Sequence, residues 1–168
     1  SEENLGSYSR AITDCKLLGI MTNEESGNFE PNKIVKKNEL AAVLIRMLHN
    51  DSSLISEFVK NYSNEADATV SDAAAVMVEA LGYSNQIKQY EENGAMLVAA
   101  KLKVFKNMEQ PSGNALLTKE VLAAFVYNTL SIDIMVETGF ANNEIVYERK
   151  KGATILTEYM NVTPIDGF

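Results

Sequence analysis

The 168 residues include no Trp, one Cys, one His and three Pro, and each scarcity removes a class of protein. A lone Cys15 cannot close a disulfide within the chain, so stability has to come from a packed core. The length suffices for one, since a domain of this size buries roughly 70% of the surface its unfolded chain exposes. A single His49 leaves no imidazole pair for a metal and no partnered base for a nucleophile. Positive charge is short as well: 15 Lys and Arg stand against 23 Asp and Glu, a net charge of -8. The basic residues are scattered, not gathered into the stripe that neutralises phosphates, so no nucleic-acid partner is expected. No run of eighteen apolar residues exists, so no helical membrane span is expected. No charged-then-apolar leader precedes Ser1. The opening "SEEN" and the closing "PIDGF" read as cuts, so the chain is expected to be a piece of a longer protein whose leader, if it is exported, has been removed.

What the sequence does have is helical period. Leu40, Val43, Leu44, Met47 and Leu48 follow the i, i+3, i+4, i+7, i+8 spacing of an amphipathic helix. The same stripe recurs at Ala73, Val76, Met77, Ala80 and Leu81, and again at Leu122, Phe125, Val126, Thr129 and Leu130. Aligned, the three read "NELAAVLIRML", "SDAAAVMVEAL" and "EVLAAFVYNTL". Each follows another helical stretch: "AITDCKLLGI", "SLISEFVKNY" and "AMLVAAKLKV". The chain therefore divides into three helix-loop-helix units, at about 8–50, 51–83 and 86–131.

The connectors differ. Met21 to Val35 and Phe105 to Leu117 are long and each holds a Gly and a Pro, whereas Ser63 to Thr69 is about half as long. A long connector in a compact domain is either functional or ordered by its own packing, so unit two is expected to lack whatever the long loops do. After Leu130 the pattern changes. "IVYER" reads as strand, "RKKG" as turn chemistry and "ATILTEYM" as a short helix. Residues 133–168 are expected to form a small α/β appendage to the bundle of 1–132.

The stretch "LLGIMTNEESGNFEPNKIVKKNELAAVLIRML" resembles the S-layer homology repeat, in which Leu-Gly-Ile precedes a polar loop with Gly-x-Phe-x-Pro and Thr-Arg-Ala-Glu opens the second helix. Leu18, Gly19, Ile20, Gly27, Phe29, Pro31, Glu39, Ala41 and Ala42 match, and "ALGY" at 80–83 resembles the end of such a repeat. The resemblance covers residues 8 to about 130, strongest in unit one and weakest in unit two. It implies a mainly α, pseudo-threefold bundle of three repeats. Physically, Thr and Glu three apart form a capping box that satisfies free amides at a helix start. Here the box survives as "KKNE" with Glu39 kept and Asn38 as replacement cap, as "TVSD" with Thr69 and Asp72, and as "TKEV" with Thr118 alone.

In that family the motif Arg faces a groove between repeats and is associated with anionic secondary cell-wall polysaccharide. The equivalent positions here are Lys37, Val70 and Lys119. An ammonium is a point charge without the planar fork of a guanidinium, and Val70 brings no charge. The resemblance implies glycan contacts at Lys37 and Lys119, with Gly19 and Lys36 beside them. Lys33, Lys36 and Lys37 cluster at one helix start, and Lys101, Lys103 and Lys119 recur in unit three, so both places are candidate anion sites.

Other chemistries fit less well. A calcium loop with Gly27 at its sixth position would put Thr22 first and Lys33 twelfth, where the bidentate Glu belongs. Cys15 lies at helical spacing from Ala11, Ile12 and Leu18 and reads as a core thiol. His49 sits at a helix end without a catalytic partner. Glu24/Glu25 and Glu91/Glu92 are sequence neighbours and read as solvated surface. No enzyme activity, cofactor or metal is expected. The expectation is a cell-surface module of an exported bacterial protein that holds anionic wall polysaccharide. Its competitor is a degenerate module that packs against neighbouring domains without binding glycan.

Overall fold

The computed structural model describes residues 2–49 and 60–162. Among them are seven helices: α1 (Glu2–Leu17), α2 (Lys37–Met47), α3 (Val70–Ala80), α4 (Ser84–Ile87), α5 (Gly94–Lys101), α6 (Lys119–Thr129) and α7 (Ile155–Glu158). One antiparallel hairpin, β1 (Met135–Ala141) with β2 (Glu144–Arg149), lies between α6 and α7. The fold is mainly α. Most of "SLISEFVKNY", expected as the first helix of unit two, lies outside the described residues.

All fifteen positions of the three apolar stripes are buried, including the polar Thr129, whose hydroxyl donates to the Phe125 carbonyl at 2.7 Å. Cys15 and Ala11 join the same core. The strongest helix contacts are not between loop-mates. α1 packs on α6, the bundle helix farthest from it in sequence, and α5 packs on α3.

What aligns these helices is a ring of backbone hydrogen bonds among the three segments that precede α2, α3 and α6. The Val35 amide donates to the Leu117 carbonyl at 2.8 Å, the Leu117 amide to Ala68 at 2.9 Å, and the Ala68 amide to Val35 at 2.9 Å. Two further circuits run in the opposite order. Lys37, Val70 and Lys119 donate to Ala66, Ala115 and Lys33, and Asn38, Ser71 and Glu120 donate to Asn64, Gly113 and Pro31. Each helix start thus has its first two free amides satisfied by a neighbouring connector. The short connector of unit two takes a full place in this ring, so what it lacks is only the stretch that precedes the ring in the longer loops.

Three helices end alike. Gly19 donates to Lys16 while Ile20 donates to Cys15; Gly82 donates to Glu79 while Tyr83 donates to Val78; Lys103 donates to Ala100 while Val104 donates to Ala99. These are Schellman ends, which need a left-handed residue just past the helix. The residue is glycine twice (φ 71° and 82°) and lysine once (φ 69°).

The C-terminal region continues the core. Met135 donates to the Leu81 carbonyl at 2.8 Å, Ile134 to Ala153 at 2.9 Å, and Ala153 and Ile155 are buried. The hairpin turns at Asn142 and Asn143, both left-handed (φ 52° and 62°), as a two-residue turn matching strand twist requires. The turn expected at "RKKG" exists as well, with Gly152 at φ 79°, but it joins β2 to α7.

Gly94 opens α5, where Ala normally favours a helix by up to about 1 kcal/mol. A Cβ there would lie 2.6 Å from the Ile87 carbonyl oxygen, a backbone atom. Gly94→Ala is therefore expected to destabilise the fold by about 1–3 kcal/mol, measured as a lowered urea midpoint with unchanged slope.

Candidate functional site

The three helix starts carry the caps in different states. Thr69 and Asp72 form the complete reciprocal box, at 3.2 Å and 2.9 Å. Thr118 accepts from the Val121 amide at 3.5 Å, without a returning acid. At α2 the cap is Lys36, whose donor-only side chain accepts nothing. Only Glu39 remains, accepting from the Lys36 amide at 3.4 Å. Asn38 is not the cap; it lies inside the first turn and accepts from the adjoining Glu39 amide.

Among the described residues Lys119 is the buried cation, 5% exposed. Its Nζ donates to the Thr22 carbonyl at 2.9 Å and to Glu24 Oε1 at 3.0 Å, and it lies 4.1 Å from the centre of the Phe29 ring. Glu24 Oε2 accepts from Lys33 Nζ at 2.6 Å. The two ammonium groups, Lys33 first, hold the Glu24 carboxyl below the ordinary glutamate range. Glu24 is therefore no solvated surface acid, though Glu25, Glu91 and Glu92 are exposed. The loop that brings Glu24 here is ordered by its own bonds: Gly27 donates to the Glu24 carbonyl, Glu24 to Asn28, and the Asn23 side chain to Gly27. Gly27 takes φ 85° to close that turn, and Phe29 is buried beneath it.

Beside Lys119 a depression of about 200 Å³ opens between this loop, the start of α6 and one face of α2. Glu39, Ala42, Val43 and Arg46 line it at helical spacing, and Arg46 Nη1 donates to the Ile20 carbonyl at 3.2 Å. Sequence reasoning missed Arg46 and Glu24. The i, i+7 relation of Glu39 to Arg46 was a signal for the first; the second pairs across 95 positions and had none.

The other expected site residues go elsewhere. Lys37 Nζ stands 5.9 Å over the Tyr62 ring. Burial, then the Asp72 carboxylate, pushes that phenol up to about 12. Lys36 bonds Asp67. Lys33, Lys36 and Lys37 thus each meet a different partner: Glu24, Asp67 and the Tyr62 ring. Gly19 is exposed, and its φ of 71° ends α1; it does not line the depression at Lys119. Lys101 and Lys103 face a different depression from Lys119. Cys15 is fully buried with its thiol pushed up to about 12 by burial, then by Asp14, as an inert core thiol should be.

No family model matches the chain. Over 107 residues it is 28% identical to the middle cell wall protein of Brevibacillus brevis (strain 47), an alignment covering 64% of this chain. The sequence is similar to that of a bacterial cell-wall protein. It spans about one tenth of that relative's length. Among the described residues no helix is long and apolar enough to cross a membrane, and no group of three or more His, Cys, Asp or Glu could hold a metal ion. The depression at Lys119 offers two cations, Lys119 and Arg46, two carboxylates, Glu24 and Glu39, and an apolar floor.

Proposed function

We propose that the chain is a non-catalytic cell-envelope module of the S-layer homology type. In this reading it is a pseudo-threefold bundle of three repeats that anchors a larger exported protein to anionic wall polysaccharide. The similarity to a cell-wall protein carries the reading. Further support comes from the ring, in which the three motif positions Lys37, Val70 and Lys119 make corresponding bonds. The polysaccharide would meet Lys37 and Lys119 at the two charged helix starts. At Lys119 an acidic sugar would take the place that the Glu24 carboxylate now fills.

A pull-down on purified sacculi that retain their secondary polysaccharide tests this. The wild-type chain is expected to sediment with the sacculi, and a Lys37→Gln, Lys119→Met double variant to bind about tenfold less, each charged contact being worth roughly 0.5–1 kcal/mol. Far-UV circular dichroism checks that the variant is folded. Absence of binding by the wild type would replace the anchoring role with a packing role between neighbouring domains.

A further inference from the structure

Away from the ring, at the C-terminal end of α6, the chain builds a second cationic site. A depression of about 360 Å³ is lined by Lys101, Lys103, Lys106 and Arg149, with Asp133 as its one carboxylate. Such a concentration runs against a net charge of -8. Lys119 opens α6 and Asn128 lies near its other end, so roughly 13 Å of helix separates the two sites.

Each cation is delivered by a specific piece of structure. Asp133 Oδ2 accepts from Arg149 Nε at 3.2 Å and Nη2 at 3.0 Å, and Oδ1 accepts from the Gly152 amide at 3.1 Å. The lone acid is thereby occupied. Arg149 keeps three of its five donors and remains largely exposed. Asn128 donates to the Val104 and Lys106 carbonyls at 2.8 Å and 2.9 Å, fixing the bend that carries Lys103 and Lys106. Lys101 bonds the Tyr90 hydroxyl. Among the described residues Lys103 and Lys106 have no carboxylate partner.

Lysines near a helix C-terminus also offset its dipole, and that accounts for Lys101 in the last turn of α5. It does not account for Lys103. This residue sits at the left-handed Schellman position (φ 69°) that Gly19 and Gly82 fill at the ends of α1 and α3. A side chain there is disfavoured relative to glycine. Nor does the dipole account for Arg149, which arrives from the hairpin.

We propose that Lys103, Lys106 and Arg149 form a binding site for an oxyanion, carboxylate or phosphate, presented by an acidic wall polymer. The site is distinct from the helix starts at Lys37 and Lys119, and its existence does not depend on anchoring through them. The strained lysine gives the test its leverage. Lys103→Gly is expected to raise the melting temperature while weakening the anion, so lost binding cannot be ascribed to lost folding.

The measurement is an amide-resolved NMR titration of the whole chain at about 20 mM salt, where screening is weak. Trigalacturonate and inorganic phosphate are the two probes. Saturable shifts are expected at residues 103–107, 131 and 149. Affinity should fall about threefold to tenfold in Lys103→Gly, further in Lys103→Gly with Lys106→Gln, and stay unchanged in Lys16→Gln, an exposed lysine that lines neither depression. Binding of trigalacturonate alone assigns the site to carboxylates, of phosphate alone to phosphoryl groups, and of both to either. The proposal is overturned by the absence of saturable shifts there with both probes, or by undiminished affinity in the double variant.

Discussion

Phe125→Ala is expected to cost about 3–5 kcal/mol, and to lower the melting temperature by roughly 6–20 °C for a chain of this size. Phe125 is fully buried in α6, the helix against which α1 packs, and its ring meets that of Phe105 at 5.0 Å between centroids and 58° between planes. Truncation removes the transfer energy of the ring, the aromatic contact and the support of both flanking helices, and a close-packed interior collapses only partly into the space. The control is the same substitution at Phe140, which is 74% exposed on β1. There the change should stay within about 0.5 kcal/mol. Denaturant unfolding of the two variants side by side measures burial with residue type held constant.

The second large effect is an asymmetry within one ion pair. Glu24→Gln leaves the Lys119 ammonium buried with neutral acceptors and the Phe29 ring but no carboxylate, and is expected to destabilise by about 1–3 kcal/mol. Lys119→Met keeps the apolar stem and leaves Glu24 with Lys33. That change should cost no more than about 1 kcal/mol. The pH dependence follows from the same contacts. Because the folded Glu24 carboxyl is held below its ordinary value, its contribution is fully present above the unfolded value of about 4.3. It is lost as pH falls through the lower folded one. Unfolding free energies measured from neutral pH down through the carboxylate range should therefore fall less steeply in Glu24→Gln than in the wild type. Should the groove take an acidic sugar, Glu24→Gln should also bind sacculi more tightly, since it removes the internal carboxylate that competes for Lys119. Weaker binding by that variant would count against Lys119 as a glycan contact.

Much of the helical architecture was legible because it depends on residues three or four apart. The stripes around Leu44, Met77 and Phe125 repeat at helical spacing, and burying one side of each helix is enough to place them in the core. The box at Thr69 and Asp72 and the cap at Thr118 are bonds across three positions and could be read directly. Asn38 was misread because an Asn near a helix start suits a cap, whereas the ring bond from the Lys37 amide to Ala66 goes with a start two residues earlier. The hairpin turn at Asn142 and Asn143 had a local signal too, since Asn tolerates the left-handed region.

The sequence by itself determined the helical class of this protein, the caps at Thr69 and Thr118, its core thiol and its net negative charge, because each follows from composition or from neighbours within one helical turn. Only the tertiary structure decided which helices pair, that Glu24 closes over Lys119, that Lys33, Lys36 and Lys37 part company, and that Lys103 and Arg149 line one depression. Those outcomes depend on contacts between residues tens of positions apart. A charge has no period, and its partner is chosen by whichever distant segment the backbone ring and the packed stripes bring within reach.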